Sequence, residues 1–204
     1  MRVSTILLII SSCFISQFRM LAQNRLDTEY LVLKTGDTLY GEVDYIDEGA
    51  VSNGFYKRIR LKNAKGKTKR YKRDAIMAFK FGNNQYHSYW LSQSSNKIVL
   101  VNPKYDIDNK NGEQYFLKLV NKDKLSHYQL EWFDQGNSTL WSMALLKREN
   151  DPFFIRADQG ILGLKRKVLK NYFYDCPTLK EKIENKEISE VFEITDFYNT
   201  NCNK

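Results

Sequence analysis

The hydrophobic pattern of the chain changes its period near residue 155, and this change limits the folds open to it. From Tyr30 to Ile155, short β-branched and aromatic runs alternate with Gly, Asn and Asp clusters, which is typical of strands joined by turns. Later, apolar residues such as Leu164, Val168 and Tyr172 recur at helical spacing. The sequence therefore predicts an α+β protein, in which an antiparallel β barrel or sandwich-like domain precedes a small C-terminal helical segment.

Aromatic residues make up 14 % of the chain, against 10 Gly and 3 Pro, so the chain has enough apolar surface for a sizeable core. A tight turn is expected at Gly36-Asp37, and Gly41 predicts a bulge or sharp bend within the second strand. The expected strands are Tyr30–Leu33, Thr38–Tyr45, Tyr56–Leu61, Thr68–Tyr71, Ile76–Phe81, Gln85–Trp90, Lys97–Val101, Gln114–Val120, Ser126–Phe133 and Thr139–Lys147.

The helical end is expected to contain three short helices. The first ends at Pro177, and the second opens with a capping box at Thr178-Leu179-Lys180-Glu181 and runs to about Lys186. The third covers Ser189–Tyr198, where Val191, Ile194 and Tyr198 form one apolar stripe.

The first residues have the three parts of a secretory signal: the basic start Met1-Arg2, the apolar run Ile6–Ile15, and a small residue at Ala22. We expect cleavage after Ala22, a β-rich domain over 23–155 and a helical appendage over 156–204. Lipidation at Cys13 is the alternative. No apolar run in the chain is long enough for a transmembrane helix. From the signal segment we therefore expect an exported protein that is periplasmic, extracellular or peripheral on an outer membrane.

After removal of residues 1–22, two cysteines remain, Cys176 and Cys202. Because an exported protein meets an oxidising environment, the two are expected to form a disulfide. The sequence has no C-x-x-C spacing, which argues against a redox role.

Three segments carry a likeness to known sequences. They are Gly36-Asp37-Thr38-Leu39-Tyr40-Gly41-Glu42-Val43; Arg73-Asp74-Ala75-Ile76; and a tail that includes Leu169, Tyr172-Phe173, Asp175-Cys176-Pro177, Leu179, Phe197-Tyr198-Asn199 and Cys202. The chain resembles a family of small exported, uncharacterised proteins of Gram-negative bacteria with an N-terminal GDTxxG β module. The resemblance implies a signal peptide, that β module and a helical end. It implies no catalytic residue.

A concentrated basic run is the strongest chemical signal in the sequence. No acidic residue lies between Glu48 and Asp74, and the rest of the chain after Ala22 has 20 basic and 24 acidic residues. The run is expected to form a hairpin that turns at Asn63–Gly66; if cations were exposed on both of its faces, it would project as an arm. Its ten cations are Lys57, Arg58, Arg60, Lys62, Lys65, Lys67, Lys69, Arg70, Lys72 and Arg73.

Clustered positive charge favours polyanionic partners, because binding releases counterions. In a bacterial envelope such partners are lipopolysaccharide phosphates, acidic polysaccharides and extracellular DNA. Nucleic acid is disfavoured as the main partner, since the sequence has no known nucleic-acid-binding motif. The alternative is that the lysines only guard a sheet edge against unwanted strand pairing.

The residues suited to catalysis are few. His87 and His127 lie in strand-like runs, and no G-x-S-x-G elbow is present. A glycosidase pair could come from the carboxylates Asp44, Asp47 and Glu48, but nothing beyond their presence supports one. We therefore expect a binding or structural module of the cell envelope without catalytic activity and without a metal or cofactor. The alternative is a small polysaccharide hydrolase, which would need a concave site with two carboxylates or a His-Ser pair.

Overall fold

A computed structural model of the chain describes residues 28–46, 58–92, 103–133, 139–160 and 162–202. The described residues divide into two compact units. The first contains residues 28–46 and 58–85, and the second contains the described residues from Tyr86 onward. The predicted signal segment, with Cys13 and Ala22, and the predicted strand Lys97–Val101 lie outside the described residues.

The first unit contains three antiparallel strands of one sheet, in the order β2-β1-β6. It also contains a separate three-stranded antiparallel sheet, in the order β3-β4-β5. A 3-10 turn, Arg73–Ala75, precedes β6. The strands are β1 (Tyr30–Leu33), β2 (Thr38–Tyr40), β3 (Glu42–Ile46), β4 (Arg58–Lys62), β5 (Thr68–Lys72) and β6 (Ile76–Phe81).

Gly41 separates β2 from β3 at the position where the sequence predicts a bend. A β-carbon there would clash with the backbone carbonyl of Lys62, so only glycine fits. The chain thereby leaves one sheet and enters the other, and β3 lies against β1 and β6. The buried apolar side chains of this unit are Leu31, Val43, Ile59, Leu61, Ile76 and Phe79.

Glu29 connects separate parts of the first unit through a fully buried side chain. Its carboxylate accepts hydrogen bonds from the backbone N–H of Val43 at 2.7 Å and of Gly82 at 2.8 Å. Its backbone carbonyl accepts another from Gly41 N–H at 3.2 Å. Because a buried carboxylate is tolerated only when it is hydrogen-bonded, these amides hold the start of β3 and the turn after β6 to one point.

The second unit is a closed six-stranded antiparallel barrel followed by three helices, which confirms the predicted fold class. The strand order is β7-β8-β12-β11-β10-β9, and β9 pairs with β7 to close the barrel. Its strands are β7 (Asn84–Ser92), β8 (Lys104–Ile107), β9 (Glu113–Asn121), β10 (Leu125–Phe133), β11 (Leu140–Arg148) and β12 (Phe153–Arg156).

Alternating side chains of the barrel strands form two cores. Leu130, Met143 and Leu145 are among the residues that fill the barrel interior. Leu125 and Leu146 point the opposite way and pack with residues of the three helices. The helices are α1 (Arg166–Tyr172), α2 (Pro177–Glu184) and α3 (Val191–Asn201). No helix in the described ranges has the length and apolar character needed to cross a bilayer.

Two expected helix signals are wrong. The first helix ends at Tyr172, well before Pro177, and Pro177 is the first residue of α2. Proline suits that position because its missing N–H would have no partner in the first turn. Thr178 therefore lies inside α2 and caps nothing. The capping box belongs to α3. There the Glu190 side chain accepts the backbone N–H of Glu193, and the Glu193 side chain accepts the backbone N–H of Glu190.

Arg148 joins the end of β11 to the helices. Its guanidinium donates hydrogen bonds to the backbone carbonyl of Tyr172 at 2.6 Å and to the Asp175 carboxylate at 2.5 Å. It also lies 4.2 Å from the centre of the Tyr172 ring, within cation–π range. The other oxygen of Asp175 accepts the Tyr198 hydroxyl at 2.8 Å, so one charged network holds α1 and α3 to the barrel.

Cys176 and Cys202 form a disulfide, with a Cα–Cα distance of 5.4 Å, which confirms the predicted pair. Cys176 immediately precedes α2 and Cys202 immediately follows α3. The bond therefore closes the segment that contains both helices.

Replacing both Cys176 and Cys202 with Ser should lower the free energy of unfolding by about 3 kcal/mol, because a cross-link over 26 positions restricts the unfolded chain. Urea unfolding without reductant measures the loss. The parent protein in reductant should match the double variant. Equal stability of the parent with and without reductant would contradict this role for the disulfide.

His127 is a buried polar side chain within the helix-facing core. It shares its face of β10 with Leu125 and stands opposite Leu146 of β11. It is 6 % exposed, and neither ring nitrogen has a hydrogen-bond partner in the described part of the chain. Burial lowers the pKa of His127 to about 4, against the opposing influence of Asp158. The folded protein therefore holds this imidazole neutral near pH 7.

His127→Leu should remove an acid-dependent loss of stability. In the unfolded chain the imidazole takes a proton near pH 6.5, whereas in the folded chain it resists protonation down to about pH 4. The parent therefore loses up to about 3 kcal/mol as pH falls through this window, and the variant does not. Urea unfolding on both sides of the window measures the difference. Parallel pH profiles for parent and variant would contradict the assignment.

Candidate functional site

The basic run forms the hairpin β4–β5 in the first unit. Its turn covers residues 63–66, where the side-chain oxygen of Asn63 accepts the backbone N–H groups of Lys65 and Lys67, both at 3.0 Å. Gly66 has a φ of 76°, a left-handed conformation that favours glycine. Local turn chemistry thus sets the hairpin register.

That register sorts the cations by face. In β4, Ile59 and Leu61 are buried, so the residues between and beside them point to the opposite side of the sheet. Cross-strand pairing extends this side to β3 and β5. We call it the cationic face; its charged residues are Glu42, Asp44, Arg58, Arg60, Lys62, Arg70 and Lys72.

Carboxylates on β3 neutralise part of the cationic face. Asp44 forms an ion pair with Arg60, and Glu42 pairs with Lys62 at 3.4 Å. These groups, with Thr68, line a shallow cavity of about 200 Å³. Among the described residues, five cations share this face with two carboxylates, so their charges sum to a positive value.

Like charges stand directly opposite each other across β4 and β5. Arg60 pairs in register with Arg70, and Arg58 with Lys72. Such pairs destabilise an antiparallel sheet relative to neutral neighbours. Arg70 and Lys72 form no ion pair with any residue that the structure describes, so the repulsion is not offset on β5.

The remaining predicted cations do not belong to this face. Lys69 is exposed on the opposite side of β5, where its ammonium lies 5.0 Å from the Tyr71 ring centre, and the exposed Lys67 lies just before this strand. Lys65 lies in the turn, and Arg73 lies in the 3-10 turn with two guanidinium nitrogens shielded from solvent. Lys57 lies outside the described residues. The structure therefore brings together Arg58, Arg60, Lys62, Arg70 and Lys72.

The hairpin does not project as a separate arm, although cations are exposed on both faces of β5. Its strand β4 pairs with β3 as well as β5, and Ile59 and Leu61 anchor it in the core. Edge protection accounts for lysines on β5, the outer strand of this sheet. It does not account for Arg58, Arg60 and Lys62, which lie on the central strand.

Of the carboxylates named as a possible glycosidase pair, the structure describes Asp44 alone. Asp44 is engaged with Arg60, and Asp47 and Glu48 lie outside the described residues. Within the described ranges, no group of three or more His, Cys, Asp or Glu side chains is arranged to hold a metal ion.

The two histidines lie in different surroundings of the second unit. His127 is enclosed in the helix-facing core, whereas His87 Nδ1 lies 3.3 Å from the Tyr128 hydroxyl at one end of the barrel. Ser126 immediately precedes His127 in the sequence, but its hydroxyl donates a hydrogen bond to the backbone carbonyl of Asp123 at 2.9 Å. The described contacts thus give His87 a tyrosine partner, and the hydrolase alternative stays a prediction.

Comparisons of the chain with protein-family models, curated proteins and solved structures give no match. The family resemblance of the GDTLYGEV segment and the cysteine-containing tail therefore stays an expectation from sequence.

Proposed function

We propose that this protein is an exported binding module that holds anionic polymers of the cell envelope against the cationic face. The observation that carries the proposal is the direct opposition of Arg60 to Arg70 and of Arg58 to Lys72 across two strands. Like charges directly opposite each other destabilise an antiparallel sheet relative to neutral pairs. An anionic ligand laid across the face would convert the repulsion into attraction.

The geometry of the face suits an extended anionic chain. Side chains on one face of a sheet repeat about every 7 Å along a strand and about every 5 Å between strands. The cations thus form a two-dimensional array. Three of them are arginines, whose planar guanidinium groups bind phosphate, sulfate and carboxylate through paired hydrogen bonds. Acidic polysaccharide and the phosphates of lipopolysaccharide both present such groups.

The Cys176–Cys202 disulfide supports the exported part of this proposal, because such bonds persist in oxidising compartments. The apolar run before Ala22 supports it from sequence. A protein placed there meets envelope polymers rather than intracellular nucleic acid.

A matched pair of variants in the hairpin separates polymer binding from edge protection. Arg70→Ser with Lys72→Ser removes two charges from the cationic face. Lys67→Ser with Lys69→Ser removes two exposed charges of the hairpin that do not belong to this face. All four side chains are exposed, so both variants should fold. Immobilised heparin and lipopolysaccharide vesicles serve as the anionic probes.

The first variant should bind heparin about tenfold or more weakly at low salt, and its salt slope should fall by about 2, because two counterion-releasing contacts are lost. The second should stay within about threefold of the parent. Equal losses in both variants would show that only net charge matters. Undiminished binding by the first variant would overturn the cationic face as the site.

A further inference from the structure

A second cavity lies in the second unit, at one end of the barrel. Its volume is about 470 Å³, within the range of small-molecule sites. We call it the barrel mouth. Its lining residues are Tyr89, Lys122, Asp123, Lys124, Ser126, Tyr128, Lys147, Arg148 and Glu149.

In three strands, the inward-facing residues change from apolar to polar toward this end of the barrel. Along the inward face of β10, the apolar Leu130 is followed by Tyr128 and then Ser126. On the inward face of β11, Met143 and Leu145 are followed by Lys147. Because alternate residues share a face, the barrel interior becomes polar at the mouth.

The same change occurs in β7, where the inward-facing Leu91 is preceded by Tyr89 and then His87. The Tyr128 hydroxyl lies 3.1 Å from that of Tyr89 and 3.3 Å from His87 Nδ1. Both tyrosine rings contact Phe154 edge to face. Ring contacts and hydrogen bonds therefore hold in place Tyr89 and Tyr128, two residues that line the cavity.

The charges around the mouth are predominantly positive, with four cations against Asp123 and Glu149. Arg148 is held by Asp175, and the Lys147 ammonium donates to two backbone carbonyls, those of Arg148 and Glu149. Lys122 and Lys124 form no ion pair within the described part of the chain. These two ammonium groups are therefore available to a ligand.

We propose that the barrel mouth binds a small organic anion, such as a sugar that carries one phosphate or carboxylate group. Lys122 and Lys124 hold the anionic group, and the hydroxyls of Tyr89 and Tyr128 hydrogen-bond the polar body of the ligand. The site is built from the second unit alone. It is independent of polymer binding at the cationic face.

The chain's two histidines give this proposal a direct readout by NMR. Burial and the charge of Lys122 lower the pKa of His87. An anion held by Lys122 offsets that charge, so glucose 6-phosphate or glucuronate should raise the midpoint of the His87 titration by several tenths of a pH unit. His127, enclosed in the other core, is the internal control and should not move. Glucose is the neutral control ligand.

Two matched double variants test whether sugar binding depends on the lysines of the barrel mouth. Lys122→Gln with Lys124→Gln should weaken binding of the effective sugar about tenfold or more and abolish the His87 shift. Lys110→Gln with Lys167→Gln removes the same charge at exposed positions outside the mouth and should leave both unchanged. Tyr128→Phe, which keeps the ring, should weaken binding without unfolding the barrel.

Comparison of the two sugars assigns the group: a response to glucose 6-phosphate alone indicates a phosphate site, and one to glucuronate alone a carboxylate site. No movement of His87 with either sugar would overturn the proposal, as would equal binding of glucose. Unchanged binding in the Lys122–Lys124 variant would overturn it too. The Arg70–Lys72 variant should bind the sugar normally, so failure of polymer binding and failure of this site are distinguishable.

Discussion

Burial of Ile59 and Leu61 is the constraint on which the cationic face depends. Both side chains are nearly inaccessible, and between them Arg60 must point outward. A slip of one residue would bury the arginines and expose the apolar pair, so the register is strongly specified. The Asn63 turn then carries the same register into β5. The alignment of like charges is therefore a consequence of the core and the turn.

In the second unit, too, the alternation of side chains along each strand decides which residues are buried. Its barrel strands place apolar residues inward over most of their length, but polar residues replace them at one end. The outward positions are apolar where α1 and α3 pack, and there Arg148 and the disulfide hold the helices in place. A barrel covered in this way has its polar mouth supported by a rigid scaffold, which is the usual setting of a ligand site.

Much of this architecture is predictable from the sequence because period-two patterns and turn glycines are local signals, and because two cysteines remain after the predicted signal segment. The hairpin at residues 58–72, the bend at Gly41 and the Cys176–Cys202 bond belong to this class. The sequence does not predict the four-residue strands β8 and β12, which carry almost no periodicity of their own. Strand β1 is equally short, but the turn expected at Gly36-Asp37 marks where it ends.

Sequence reasoning also missed residues whose roles arise from distant partners. Glu29 is an ordinary acidic residue in the sequence, and only the fold brings it to the amides of Val43 and Gly82. The mouth of the barrel is similar, because His87 and Tyr128 are 41 positions apart. The sequence shows the basic run directly. Which of its cations share a face with the carboxylates of β3 depends on the register between β3 and β4.

NMR of the arginine Nε–H groups can show whether anionic polymer contacts the cationic face of the β3–β5 sheet. Titration with a short heparin oligosaccharide should shift the signals of Arg58, Arg60 and Arg70 together, and added salt should reverse the shifts. Arg156 and Arg166 in the second unit should stay unmoved. Absence of shifts in these three arginines, or uniform small shifts of every arginine, would contradict binding at the cationic face.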